Sequence, residues 1–433
     1  MTTFKPPTEW TPPDVFPTEL LVNAKEVAID TETRDPNLKE KGPGYIRGDG
    51  EIVGISFACD GFEGYFPFAH ESGFNFPKNK VISFAKKVCA SNSDKIFHNA
   101  SYDMGWLGSE GIKVNGRIID TMVVAPLIDE NQYWYTLNAL GREYVNEGKT
   151  EAELNAAAEE WGLDPKAEMW RLPSAYVGTY ATQDHFKTLI EEQNLWNIFD
   201  LEMEVLPVLY EMKKKGVRVD TERAETIKRQ LIKQEKELLL EIQKQSGVGE
   251  LQLWAANSLA TVFDALKLTY TRTPTGQPSF TKAFLDNHTH PVAKMIKEAR
   301  EINKSHSTFI DSILKHEHNG RIHAEIRQLK GESGGTVTGR LSMSNPNLQQ
   351  VPARNKKIGT LIRSLFLPEE GELWCSADFS QQEPRILTHY ADLSKYQGAD
   401  MIADAYRESD ADFHQEVANM VDIDRSTAKT IGL

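Results

Sequence analysis

Three short acidic signatures, taken in chain order, constrain this sequence most. Asp30 and Glu32 flank Thr31 at the end of the apolar run Glu26-Val-Ala-Ile-Asp-Thr-Glu32. Asn99 and Asp103 stand four apart, and so do Tyr180 and Asp184. Side chains alternate along a strand, so Asp30 and Glu32 share one face. Residues four apart on a helix also share a face. Adjacent carboxylates repel each other unless a cation lies between them. Singly, such pairs are common on solvated surfaces. The ordered series is far more specific: a strand pair, then Asn-xxx-Asp, then Tyr-xxx-Asp. Four carboxylates can hold two Mg2+ or Mn2+ ions about 3.5–4 Å apart, one activating water and one facing the leaving oxygen. Tyr180 would orient the attacking water.

The surrounding pattern predicts an α/β domain. Glu51 to Ala58 and Gly64 to Ala69 read as further strands, and Lys80 to Ala90 has helical spacing. Lys95 to Asn99 is a short strand leading into a helix through Leu107. Strands alternating with helices imply a mixed sheet. The character changes near Asp200, where Leu201, Val205, Leu209 and Met212 recur at helical spacing before Gly216. Asp220 or Thr221 then opens a long helix with Ile227, Leu231, Leu238 and Ile242 on its apolar side, ended by Gly247. From Gly331 the chain is rich in Gly, Ser, Thr and Asn, and strand pattern returns over Glu372 to Asp378. The expected division is residues 1–197, 198–330 and 331–433, in keeping with two or three domains for 433 residues.

Composition narrows the classes. The net charge of −14 argues against a nonspecific nucleic-acid coat, which would be basic overall. A local basic groove with carboxylate-rich metal sites stays compatible with it. The three cysteines are scattered, so a disulfide framework or zinc site is not expected and a reducing cytoplasmic setting fits. No apolar run approaches the ~20 residues of a membrane span, and the N-terminus has no secretory-signal pattern.

The acidic series resembles the tyrosine-bearing branch of the DEDD superfamily of 3′→5′ exonucleases. Val27-Ala-Ile-Asp30-Thr-Glu32, His98-Asn99-Ala-Ser-Tyr-Asp103 and Tyr180-Ala-Thr-Gln-Asp184 carry the resemblance. It implies an RNase H-like fold, with Asp30, Glu32, Asp103 and Asp184 as metal ligands assisted by Tyr180. Asp120-Thr-Met122 falls where proofreading exonucleases carry a similar tripeptide, and Asp120 is read as structural.

A second set of motifs lies downstream: Thr338-Gly-Arg340-Leu-Ser342, Asn345-Pro-Asn347-Leu-Gln349, Asp378-Phe-Ser-Gln-Gln-Glu383-Pro-Arg385, Asp412-Phe-His414 and Arg425-xxx-Lys429. Each alone reads as a polar loop, a strand-ending Asp or a solvated helix face. Together they resemble family A DNA polymerases of the bacterial DNA polymerase I type. The resemblance implies a helical thumb followed by an α+β palm and fingers. It makes Asp378 a ligand of both catalytic metals, assisted by the Phe379 carbonyl, and Glu383 a steric gate against a ribose 2′-hydroxyl. Arg425 and Lys429 would hold an incoming dNTP, with Leu433 where an aromatic residue is usual. An aliphatic side chain cannot stack on a base as an aromatic does, which would alter nucleotide selection. Arg340, Asn347 and Gln349 would contact primer-template DNA, as would Lys304, Ser307 and Thr308 in the thumb.

No second palm carboxylate appears by Leu433. The expectation is therefore a complete exonuclease, acting on single-stranded 3′ ends, joined to an incomplete palm and fingers. This chain alone is expected to show exonuclease activity only, unless a second polypeptide completes the palm. The competing readings are a free-standing exonuclease trimming DNA or RNA ends and one subunit of a split polymerase.

Overall fold

The computed structural model describes residues 12–70, 74–146, 186–331, 334–352, 356–408 and 412–431. Tyr180, Asp184 and Leu433 lie outside them. The chain divides into two units, residues 1–367 and 368–433.

The first unit begins with a five-stranded mixed sheet. Its strands are β1 (Glu26–Arg34), β2 (Glu51–Cys59), β3 (Phe62–Pro67), β4 (Asp94–Phe97) and β5 (Ile118–Asp120), in the order β3-β2-β1-β4-β5. The β1, β2 and β3 strands are antiparallel neighbours, whereas β4 and β5 run parallel to β1. The Lys78–Cys89 helix buries Val81, Phe84, Ala85, Val88 and Cys89, the i, i+3, i+4, i+7, i+8 stripe of an amphipathic helix. Phe84 meets Phe57 and Phe66 with ring centroids 5.2 and 4.9 Å apart. This aromatic cluster anchors the helix to the sheet.

The Trp196–Lys215 helix forms where the periodicity predicts it, but turned about its axis. It buries Phe199, Met203, Leu206, Leu209, Tyr210 and Lys213. Of the expected stripe, Leu201 and Met212 are about half exposed, at 53% and 52%. The helix carries two apolar stripes, and helical period alone does not choose between them. Packing does: the stripe with Phe199 and Tyr210 brings the larger aromatic surface to the core beside β5. Lys213 is buried on that face because Glu325 pairs with it at 2.8 Å and the Tyr45 ring lies 5.5 Å from its ammonium.

The long Thr221–Ser246 helix begins at Asp220, whose carboxylate accepts the Arg223 N–H at 2.9 Å, and stops at left-handed Gly247. Its apolar side serves two small cores in succession. Ile227 and Leu231 pack with Ile302, Ile310 and Ile313, and Ile242 with Phe263, Val292 and Ile296. The facing Pro291–Lys304 helix runs into a π-helical turn over Ser305–Ile310. That turn widens the helix where Lys304, Ser307 and Thr308 meet solvent.

In the second unit the helices Gln382–Leu393, Ala399–Glu408, Phe413–Val421 and Arg425–Ile431 follow one another. The strand expected over Glu372 to Asp378 is absent; residues 372–379 are irregular and exposed. A lone apolar run has no ladder without a neighbour, and among the described residues no strand pairs with this one. Leu373 and Phe379 are accordingly 92% and 79% exposed.

The Lys213–Glu325 pair gives a stability prediction. Lys213→Ala leaves the Glu325 carboxylate without its cation in a mostly buried position. The loss expected is about 3–5 kcal/mol, read as a lower midpoint in urea unfolding.

Candidate active site

The β1 strand is longer than its parallel neighbour. Pairing with β4 ends at Ala28↔Ile96, and the chain after β4 turns into the Ala100–Ser109 helix. Beyond that point the Thr31 N–H has lost its β4 partner. The Asp103 carboxylate takes the place of the missing carbonyl, accepting from Thr31 N at 2.9 Å and from Thr31 Oγ1 at 2.6 Å. Tyr102 adds a second tie through its hydroxyl, 2.8 Å from Thr33 Oγ1. The helix is thereby docked on β1 between Asp30 and Glu32, which are half-buried. Asp103 is 2% exposed. Burial, then the charge of Asp30, raise its carboxyl well above the ordinary range, against the two Thr31 bonds.

Asp120, read from sequence as structural, is a double cap. Its carboxylate accepts from Asn99 N at 2.9 Å, Ala100 N at 2.7 Å and Met122 N at 3.0 Å. One side chain thus starts both the Ala100–Ser109 and Thr121–Ile128 helices. Asn99 adopts a left-handed backbone, φ 73°, as the helix N-cap. It is not on the helix face with Asp103.

Strand register brings further groups beside the acids. Asp30 stands opposite Ser56, which stands opposite Tyr65, while Glu32 stands opposite Gly54. Tyr65 is 2% exposed, and its hydroxyl is hydrogen-bonded to His70 Nε2. Thr31, Thr33, Tyr65 and His70 were not singled out in the sequence. The signal for Tyr65 was there, in the small residues Gly54 and Ser56 facing Glu32 and Asp30 across the hairpin.

Asp30, Glu32 and Asp103 concentrate negative charge at one strand end, and a divalent cation would relieve it. In charge and burial the residues fit a metal. Among the described residues no group of three His, Cys, Asp or Glu side chains converges to hold one; the fourth acid of the series, Asp184, lies outside them.

The downstream candidates are mostly exposed. Asp378 and Phe379 lie in the irregular stretch, and Glu383 sits in the first turn of the Gln382–Leu393 helix. Arg425 pairs with Asp412 at 2.7 Å, and that bond holds the Asp412 carboxyl below its usual range. Lys429 is exposed one turn further along. In the first unit, Asn347 and Gln349 shape their own loop. Asn347 Oδ1 accepts from Gln349 N at 3.1 Å, and the Gln349 amide donates to Leu341 O at 2.9 Å and accepts from Met343 N at 3.1 Å. Arg340 is exposed nearby.

Residues 221–431 match DNA polymerase family A, and residues 18–200 match 3′-5′ exonuclease. A DNA-directed DNA polymerase of Pseudomonas phage M6 is 37% identical over 98% of this chain and 68% of its own length. The DNA polymerase DpoZ of Salmonella phage PMBT28 is 31% identical over 96% of this chain and 69% of its own. DNA polymerase I of Pseudomonas aeruginosa is 30% identical over 92% of this chain and 43% of its own. The POL domain of Pol1 from M. smegmatis, solved with DNA primer-template and dNTP, shares the fold with TM-score 0.71 at 21% identity, over 98% of this chain and 70% of that one. The chain belongs to DNA polymerase family A and carries a 3′–5′ exonuclease domain ahead of its polymerase portion. The reading of a free-standing exonuclease is set aside by the polymerase match.

Asp120→Ala removes the acceptor for three backbone N–H groups. The cost expected is at least about 2 kcal/mol, measured by thermal unfolding as a lower Tm.

Proposed function

We propose that the protein synthesises DNA on a primer-template from dNTPs and edits the 3′ end in its N-terminal domain. The observation that carries the editing half is the seating of Asp103 on Thr31, between Asp30 and Glu32. In this reading residues 1–197 are the exonuclease, 198–330 the thumb and 331–433 the start of palm and fingers.

Asp30, Glu32, Asp103 and Asp184 would hold two divalent ions, Mg2+ or Mn2+. Bound there, such ions would supply water activation and positive charge for the departing 3′ oxygen. Thr31 keeps the Asp103 carboxylate oriented, and Tyr180 orients the water. In the palm, Asp378 and the Phe379 carbonyl serve the second pair of ions. A further carboxylate would come from chain following these residues or from a second polypeptide. Glu383 closes the space that a ribose 2′-hydroxyl would need. Arg425 and Lys429, one turn apart, match the oxygens of a triphosphate; Arg425 would trade Asp412 for phosphate. Leu433 lies against the nucleotide. Lys304, Ser307, Thr308, Arg340, Asn347 and Gln349 line the path of the DNA backbone, which fixes position rather than sequence. The phage and bacterial relatives fit a cytoplasmic setting. Among the described residues no helix is long and apolar enough to cross a membrane.

The test is a gel assay with a 5′-labelled primer mismatched at its 3′ end and Mg2+. Shortening is expected, and the double variant Asp30→Ala/Glu32→Ala should abolish it while DNA binding persists. Unchanged shortening refutes the metal assignment. A second outcome concerns the thumb. Lys304→Ala should weaken duplex binding alike for all sequences and lower the slope of log K against log salt by about 1, as read by fluorescence anisotropy.

A further inference from the structure

Beside Glu32 lies a hydrogen-bonded unit that none of the proposed chemistry uses. The β-hairpin register builds it. Glu32 stands opposite Gly54, and two residues along, Asp30 stands opposite Ser56 and Ser56 opposite Tyr65. A strand's period of two puts these positions on one face. Gly54 has no side chain, and the Tyr65 ring leans into that space. A Cβ at Gly54 would lie 2.0 Å from the Tyr65 hydroxyl oxygen. Directly opposed residues have Cβ atoms about 4.5–5.5 Å apart. The Tyr65 hydroxyl thus occupies the cross-strand position next to Glu32, within the sweep of its carboxylate. Its surroundings agree: burial raises its pKa well above the ordinary value, and the charges of Glu32 and Asp30 raise it further.

The other side of the hydroxyl is anchored. Tyr65 is hydrogen-bonded to His70 Nε2, with the two rings edge to face at 5.8 Å. His70 is itself clamped by Asn75. Its N–H donates to Asn75 Oδ1 at 3.0 Å, and its carbonyl accepts from Asn75 Nδ2 at 2.8 Å. Burial lowers the His70 pKa, which favours a neutral ring with a single N–H. A hydroxyl has one proton to give. If it goes to His70, nothing remains for the acid. If His70 Nε2–H donates to the Tyr65 oxygen, the hydroxyl proton is released towards the carboxylate. A bond to an ionised acceptor is about twice as strong as a neutral one, which favours the second arrangement.

We propose that Tyr65, anchored by His70, is a positioning residue for Glu32, donating to its carboxylate and fixing it for a divalent cation. The inference rests on the metal-site reading of the exonuclease. Partners that orient a metal-ligating carboxylate are worth about 10–100-fold in metal affinity or activity. Tyr65→Phe keeps the ring over Gly54 and removes only the donor. Gly54→Ala drives the ring out of its place.

The experiment titrates Mn2+ into the full chain by calorimetry without DNA. It uses the Asp378→Ala background, which removes the other candidate metal site. In parallel, Mg2+ is titrated in the exonuclease assay. Tyr65→Phe is expected to weaken Mn2+ binding about tenfold or more. It should raise the Mg2+ needed for half-maximal cleavage by a similar factor, with the rate recovered at saturating Mg2+. Gly54→Ala is expected to act in the same direction. Wild-type Mn2+ affinity in Tyr65→Phe, with binding lost in Glu32→Gln, overturns the positioning role and leaves the metal site standing. Wild-type affinity in Glu32→Gln overturns the metal site and this inference with it.

Discussion

The unequal lengths of β1 and β4 are the constraint on which the exonuclease half depends. A parallel neighbour that ends early leaves a buried backbone N–H without a partner, and such a group costs about 1–3 kcal/mol if left so. Here the donor at Thr31 is met by the Asp103 carboxylate rather than by backbone. The chain can bring Asp103 there only by turning into a helix directly after β4. Asp120 makes that turn possible, because its carboxylate receives the N–H groups of the N-cap Asn99 and of Ala100, the first residue of the new helix. Two buried acids therefore act in sequence. Asp120 starts the helix, and Asp103 docks it where β1 presents Asp30 and Glu32. The same geometry that satisfies the backbone places the buried Asp103 carboxylate under the charge of Asp30, and a cation would relieve that repulsion.

How much of this was legible depended on how locally each feature is determined. The strand pair Asp30 and Glu32, the long helix from Thr221 to Ser246 with its caps, and the mixed α/β sheet were readable because period, capping residues and Gly stops are local signals. The buried face of the Trp196–Lys215 helix was not. Two apolar stripes compete there, and the outcome is set by Tyr45, Met104 and Glu325, far away in the chain. The strand expected over Glu372 to Asp378 failed for a related reason. Strand pattern reports the wish for a neighbour, and no local signal reports whether one is at hand.

The site was legible as a list of acids but not as a set of roles. Asp103 was identified by its spacing, yet Thr31, which holds it, carries no signal of that role in the sequence. Asn99, by contrast, shares the motif but sits left-handed before the helix. Its place in the pattern reflects the turn. Asn347 and Gln349 have a similar double reading. The Asn347 amide oxygen and the Gln349 amide are engaged within their own loop, so any contact they make with DNA would depend on a loop shape that they themselves enforce.

The net charge of −14 takes its meaning from where the acids are. Two of those in the exonuclease domain, Asp103 and Asp120, are almost wholly buried, held by backbone and hydroxyl donors rather than by cations. The buried pair of Lys213 and Glu325 ties helix to strand. Lys304 and Lys429 are exposed. A polyanion would therefore meet local cations among carboxylates rather than a basic coat.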